Sequence, residues 1–334
     1  MPSVSPLSAL SPEALIQYLG ARGTPRSIVE WKYFDDSIAG STERGFALVE
    51  DREIVGFLGL IPMEMRNGNR RLQMAWTCDW SVDNRLRGAY GLFLLKTAVE
   101  HAGQVIALGG ADTTRQILAR LARSRDDQAG IVFRKHLALG AYARALQRRK
   151  FPVANEAINV LDRIALPRLR KARVETKAFR ALTSDRLVPP ETDTGGNWTP
   201  SYDSAALEWR LLRCPVVEAW VCEGPQDRAS VLVWRSTEQR REWKAALFGT
   251  GKETGELSAC LESALRHIVQ QGGSSVSVLV SRWDRTLIGV LSAARFREAK
   301  FNYPIYFLQA GTAGESLNTI AGLSYLDSDL HYRF

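Results

Sequence analysis

The sequence predicts an α/β (α+β) protein of two mixed antiparallel and parallel sheets flanked by helices, and three observations carry that expectation. Runs with strand periodicity come first as hairpins and then alternate with helical runs, the order of a mixed layer rather than a bundle or sandwich. The same ordered series starts again after residue 205. Between the two lies 184–204, rich in Pro, Gly, Ser, Thr and Asp, which reads as a linker or long loop. A chain of 334 residues is long for one core. The expected division is therefore an N-terminal domain over 1–150, a basic helical segment and linker over 151–204, and a C-terminal domain over 205–334.

Each element has a local reason. "SPEALIQYLGARG" reads as a helix with Ser11 as N-cap, Pro12 at its first position and Glu13 in its first turn. "RSIVEWKYF" is a second helical segment, and "GFALVED" and "EIVGFLGLIPMEMR" are strands around a charged turn. "NGN" at 67–69 makes a hairpin to "RRLQMAWTCDWSV". The stretch 86–102 is a helix with Leu92, Leu95, Val99 and Ala102 on one face. "QVIALGG" is a short buried strand, "ADTTRQILARLAR" the next helix, and "FRKHLALGAYARAL" a strand pair. In the second half "EWRLLRCP" echoes "EWKYFDDS". Strands "VEAWVCE", "ASVLVWRS" and "EWKAALFG" follow, then helix "GELSACLESALRHIVQQGG", strand "SVSVLVS", helix "RTLIGVLSAARF" and strand "NYPIYFLQ". Order, type and spacing match the first half, as in a tandem duplication.

Composition narrows the function. No run approaches the roughly 20 apolar residues of a membrane helix, and the N-terminus lacks a basic start followed by an apolar core. Four cysteines and four histidines are scattered without C-x-x-C or H-x-x-x-H spacing, so no metal site is expected and the thiols read as free in a reducing cytoplasm. The net charge of +8 favours an anionic partner. Much of the excess lies in "ARALQRRK" and "LPRLRKARVETKAFR", whose lack of interleaved aromatics argues against nucleic acid.

One junction stands out. "DWSVDNRLRGAYGLFLLK" passes from strand to helix through Arg85, Arg87, Gly88 and Gly91. A helix N-terminus offers unpaired N–H groups and partial positive charge. Glycine admits a phosphate to the backbone, and arginine adds bidentate contacts. The corresponding turn of the second half, "TGKETGE", has glycines without the arginine pair.

In this setting "RLRGAYG" resembles motif A of the Gcn5-related N-acetyltransferase (GNAT) superfamily: Arg or Gln, two residues, Gly, one residue, Gly or Ala. Two placements fit. Arg85-Leu86-Arg87-Gly88-Ala89-Tyr90 matches without a gap, with Tyr90 in place of the second glycine. With Ala89 as an insertion, Tyr90-Gly91 follows Arg85-x-x-Gly88. The resemblance covers about residues 40–125 by motif and the rest by pattern. It extends to proteins with two GNAT-like halves, of which the second here is degenerate.

The resemblance implies an acyl-CoA-dependent N-acyltransferase, with acetyl-CoA or another acyl-CoA as co-substrate and a small-molecule amine or amino sugar as acceptor. Cofactor contacts would come from Val82, Arg85, Leu86, Arg87, Gly88, Ala89, Tyr90 and Gly91. It places the general base on the strand before motif A, which here offers Asp79, with Glu64 as second choice. The superfamily's acidic tyrosine would fall at Leu118, which leaves Tyr90 as the nearest acid. Thr113 and Thr114 read as caps of their helix. Tyr33, Phe34 and Trp76 would shape the acceptor pocket, and a homodimer is compatible with the resemblance. Two alternatives stay open: a FemX-like transferase using aminoacyl-tRNA, with basic helices over 144–180 tracking RNA, and a GNAT-like binding module without turnover.

Overall fold

The computed structural model describes residues 1–37, 43–108, 111–137, 179–184, 197–224, 229–249, 254–310, 320 and 324–327. Helices α1 (Pro12–Gly20) and α2 (Arg26–Phe34) follow the short strand β1 (Ser3–Pro6). Ser11 stands at the α1 N-cap, although its side chain makes no capping bond. Strands β2 (Gly45–Glu50), β3 (Glu53–Asn67) and β4 (Arg70–Val82) form the expected antiparallel meander. A 3-10 turn at Asn84–Leu86 leads to α3 (Ala89–Ala102), then β5 (Gln104–Leu108), α4 (Asp112–Leu121) and β6 (Ser124–His136). Beyond β7 (Arg180–Ala181) and β8 (Thr199–Ser201) the series repeats. It runs α5 (Ser204–Leu211), β9 (Val217–Glu223), β10 (Ser230–Ser236), β11 (Glu242–Phe248), α6 (Thr254–Gln270), β12 (Ser275–Ser281), α7 (Arg285–Ala293) and β13 (Arg297–Gln309).

Three local expectations change. Phe133–His136 is the end of the single long strand β6, not the first member of a strand pair. Within 184–204 the residues Thr199–Ser201 form β8, which pairs with Arg66–Glu64 of β3. Leu92 lies on the exposed side of α3, whose buried face is Gly91, Leu94, Leu95, Ala98 and Val99. The basic stretch 143–150, and the stretch 166–180 up to residue 178, lie outside the described residues.

Among the described residues the two expected sheets are joined edge to edge into one sheet of thirteen strands, twelve in the order β1-β2-β3-β4-β5-β13-β6-β12-β11-β10-β9-β7 and β8 paired with β3 off this path. The join is an exchange. β13, the last strand of the second half, pairs antiparallel with β5 of the first, and β6 pairs antiparallel with β12 of the second. The exchanged strands also pair with each other. Each half thereby covers an edge that would otherwise present unpaired N–H and C=O groups.

Helices α1, α2 and α5 cover one face of this sheet over a core that includes Trp76, Trp234 and Phe307. On the other face, α3 and α4 pack on the first-half strands and α6 and α7 on the second-half strands. The repeated Glu-Trp pair has a structural meaning. Trp31 and Trp209 are both buried and stack at 4.5 Å between ring centroids. Trp31 Nε1 donates to Trp209 O at 2.8 Å, and Trp209 Nε1 donates to Trp31 O at 3.1 Å. These reciprocal bonds relate α2 and α5 by an approximate twofold axis.

A half-buried histidine makes the fold acid-sensitive. His267 of α6 stacks 4.0 Å from Phe179, and its Nε2 is buried without a partner among the described residues. Burial, and then the charge of Arg235, push its pKa from the ordinary 6.5 down to about 4. The folded state therefore refuses a proton that the unfolded chain accepts, so stability is full above about pH 6.5 and falls as pH drops towards 4. Thermal denaturation across that window is expected to show a Tm loss of about a few °C in the wild type, reduced in His267→Phe.

Candidate active site

The expected site strand β4 does not alternate evenly. Between Gly59↔Cys78 and Phe57↔Ser81 the register shifts, so two residues of β4 face one of β3, the geometry of a β-bulge. Asp79 sits in the bulge with φ +49°, a left-handed conformation that aspartate tolerates better than most residues. Strict alternation would have put Cys78 and Asp79 on opposite faces. The bulge instead brings both to the Tyr33 hydroxyl, which donates to Asp79 Oδ2 at 2.6 Å and lies 3.4 Å from Cys78 Sγ.

Asp79 Oδ2 also accepts from Lys32 Nζ at 2.6 Å, with the two side chains 6% and 0% exposed. Lys32 was not apparent as a site residue, because a lysine in a helical run reads as solvated surface. Its neighbours Trp31 and Tyr33 carried the only signal. Burial, and then the Asp79 charge, hold the Tyr33 pKa well above the ordinary range, so the phenol stays protonated and can only donate to the carboxylate. Gly59 opposes Cys78, and a Cβ there would lie 2.2 Å from Tyr33 Oη. Only glycine leaves room for this hydroxyl.

Among the described residues β4 and β5 pair in parallel at Ala75↔Val105 and Trp76↔Ile106 alone. Thr77 Oγ1 still donates to Ile106 O at 3.4 Å, and beyond it the strands splay apart. Past the splay lies a groove of about 1070 Å³ bounded by Trp80–Arg85, Arg87, Gly88 and Gly91 on one side and by Ala111, Thr113, Thr114 and Ile117 of the α4 end on the other. Gly88 precedes α3 with φ +93° and turns the chain so that the first-turn N–H groups of α3, which have no intrahelical acceptor, start at the groove.

The junction thus divides the expected contacts. Val82, Arg85, Arg87, Gly88 and Gly91 line the groove. Leu86 is buried against Leu48 and Val55, with Tyr90 packed on that cluster, so neither side chain reaches it. The arginines are also less free than the sequence suggests. Arg85 pairs with Glu50, Arg22 with Asp83, and Arg87 Nε donates to Val82 O at 3.4 Å. Thr113 and Thr114 line the groove instead of capping α4, whose N-cap position is Ala111.

Other expected residues lie apart. Trp76 is fully buried, Tyr33 is committed to Asp79, and Phe34 is partly buried on the same core. Glu64 lies towards the hairpin end of β3, held by Arg66 Nε at 2.7 Å and Gln73 Nε2 at 3.0 Å. Leu118 is core. In the second half, Tyr325–Asp327 pack against β11, and the Ser281 hydroxyl at the end of β12 donates to Ile320 O. Among the described residues no group of His, Cys, Asp and Glu comes together as a metal site, and no described helix is long and apolar enough to cross a membrane.

A meander, a bulged β4, a splay against parallel β5 and a glycine turn into α3 make this the GNAT fold. Solved structures share it at low identity. N-myristoyltransferase of Saccharomyces cerevisiae with bound myristoyl-CoA aligns with a TM-score of 0.53 and 12% identity, over 93% of this chain and 75% of that one. A GCN5-related N-acetyltransferase from Kribbella flavida gives 0.50 and 14%, over 91% and 71%. A conserved protein of unknown function from Enterococcus faecalis, titled a probable N-acyltransferase, gives 0.56 and 8%, over 92% and 72%. No family model and no curated protein sequence matches the chain.

Proposed function

We propose that this protein is an acyl-CoA-dependent N-acyltransferase acting on a primary amine. The observation that carries the reading is a juxtaposition on β4: the groove at the glycine turn into α3 is lined from Trp80 onward, and the preceding residue, Asp79, is a buried carboxylate on the bulge. The neighbours of this fold include enzymes titled N-myristoyltransferase and N-acetyltransferase, which supports acyl transfer as the chemistry.

In this reading residues 1–150 bind the acyl-CoA, residues 205–334 close the acceptor side, and 151–204 connect them. The first-turn N–H groups of α3 with Arg85 and Arg87 meet the pyrophosphate, and the pantetheine lies in the splay. The amine attacks the thioester carbonyl and expels the CoA thiolate. Asp79 takes the amine proton, directly or through a water, and Lys32 and Tyr33 position it. A short acyl chain such as acetyl is the proposed donor, and the four free, buried cysteines suit the cytoplasm.

Leu118 in the core and Tyr90 packed away from the groove favour one further reading, CoA binding without turnover. Two readouts separate the cases. Thermal shift with CoA and acetyl-CoA is expected to raise Tm, and thiol release from acetyl-CoA is expected to depend on an added primary amine. A Tm shift with no amine-dependent thiol release supports the silent module. No shift with either ligand at millimolar concentration sinks both readings.

A further inference from the structure

The residues that follow the two stacked tryptophans are both cations and both buried. Lys32 is 1% exposed and Arg210 is 3% exposed. Lys32 has Asp79. Arg210 has no equivalent, because the second-half strand β11 ends in Ala245, Ala246, Leu247 and Phe248 where a carboxylate would be needed. Its Nε and Nη1 are buried without a hydrogen-bond acceptor among the described residues. The guanidinium lies over aromatic faces, 5.8 Å from the Tyr202 ring centroid and 5.4 Å from that of Trp209.

Such a group is expensive to keep, since buried donors normally find acceptors and buried charges normally find counter-charges. Burial lowers its pKa only to about 10, so it stays cationic at neutral pH. Cys78, which lies beside Asp79 and just beyond the last β4–β5 pair, is close enough to raise the Arg210 pKa against that burial. Arg210 therefore stands on the α2/α5 side of the splay, opposite the face that carries α3 and α4. The other nearby cation, Arg44, is already bound to the carbonyls of Lys32 and Asp35. Of these two buried cations, Lys32 is paired with a carboxylate, and Arg210 is not paired with one among the described residues.

We infer that Arg210 anchors a carboxylate of the acceptor, so that the acceptor is a carboxylate-bearing amine of the amino-acid class. This rests on the N-acyltransferase reading of the same site. One negative charge balances the excess cation, as a carboxylate does and a doubly charged phosphate ester does not. With its carboxylate on Arg210, such a molecule carries its amine on the side of Cys78 and Asp79. Charge-assisted contacts of this kind give discrimination as well as affinity.

The test uses the full chain, with the α-amino acids and their carboxamides at millimolar concentration as probes. One or more amino acids are expected to raise Tm without CoA, while the matched carboxamides do not. With acetyl-CoA present, kcat/KM is expected to favour the carboxylate over the carboxamide by about 10²–10³-fold. Arg210→Met is expected to lose this preference and keep its CoA-induced shift. Its ligand-free Tm should equal or exceed that of the wild type, because an uncompensated charge is gone. Arg210→Lys is expected to retain part of the preference.

Equal use of carboxylate and carboxamide overturns the inference. So does a ligand-free Arg210→Met that melts lower with its acceptor preference unchanged, which makes the arginine structural. Absence of any amino-acid shift together with absence of any carboxylate preference does the same. If CoA ligands produce neither a shift nor thiol release, the N-acyltransferase reading fails, and the amino-acid shift without CoA still decides the role of Arg210.

Discussion

Lys32→Met is expected to destabilise the free protein by about 3–5 kcal/mol, the range for leaving one member of a buried pair uncompensated. The magnitude follows from burial: the ammonium side chain is 0% exposed and the Asp79 side chain 6%. Tyr33 remains as a donor to Asp79 Oδ2, which places the loss towards the lower end of that range. The double variant Lys32→Met/Asp79→Leu removes both charges and is expected to recover most of the stability, because apolar replacement of a buried pair is often neutral or favourable. Urea denaturation of the two single variants and the double variant closes the cycle. Activity should not recover with stability. Asp79→Asn, assayed well below its Tm, is expected to lose about 10²–10⁴ in kcat/KM for acyl transfer. A loss smaller than tenfold removes Asp79 as the base.

Gly88→Val is expected to abolish the CoA-induced thermal shift while the chain still folds. Gly88 has φ +93° and ψ −107°, and a Cβ there meets no atom within 4 Å. The substitution therefore costs backbone strain of about 1–3 kcal/mol rather than a clash. That strain and the new side chain act at the start of α3, where the N–H groups face the groove. In the wild type, ligand at 100 times its Kd contributes about 2.7 kcal/mol, several °C in Tm. Gly91→Ala is the control for fold. Its Cβ would lie 3.8 Å from Trp80, an ordinary contact, and alanine favours the helix by about 0.5–1 kcal/mol. A Gly88→Val protein that keeps the full CoA shift contradicts the placement of the pyrophosphate at this turn.

Much of the local structure was legible because its causes are local. "RSIVEWKYF" is α2 to the residue, and the Asn-Gly-Asn turn joins β3 to β4. The strand-to-helix turn with its arginines and glycines was legible because glycine spacing marks where backbone must turn, and it does border the groove. Its finer division was not. Leu86 and Tyr90 follow the motif in sequence, but Leu86 at the end of a 3-10 turn and Tyr90 in the first turn of α3 pack towards Leu48 and Val55. The long strand β6 was half missed, because "SRDDQAG" is polar and its pairing with β12 and β13 supplies what propensity does not.

By itself the sequence determined the type and order of the helices and of most long strands, the restart after residue 205 and the glycine turn, since periodicity and turn chemistry act over a few residues. Only the tertiary structure decided that β6 and β13 change places, because covering an exposed edge depends on which strand arrives there. It also decided that a bulge turns Asp79 to Lys32, 47 residues away, and that Trp31 meets Trp209 across 178. Buried charge and reciprocal hydrogen bonds are settled by what lies opposite in space. For that reason Arg210, one residue after an echo visible in the sequence, shows its unanswered charge only in the folded chain.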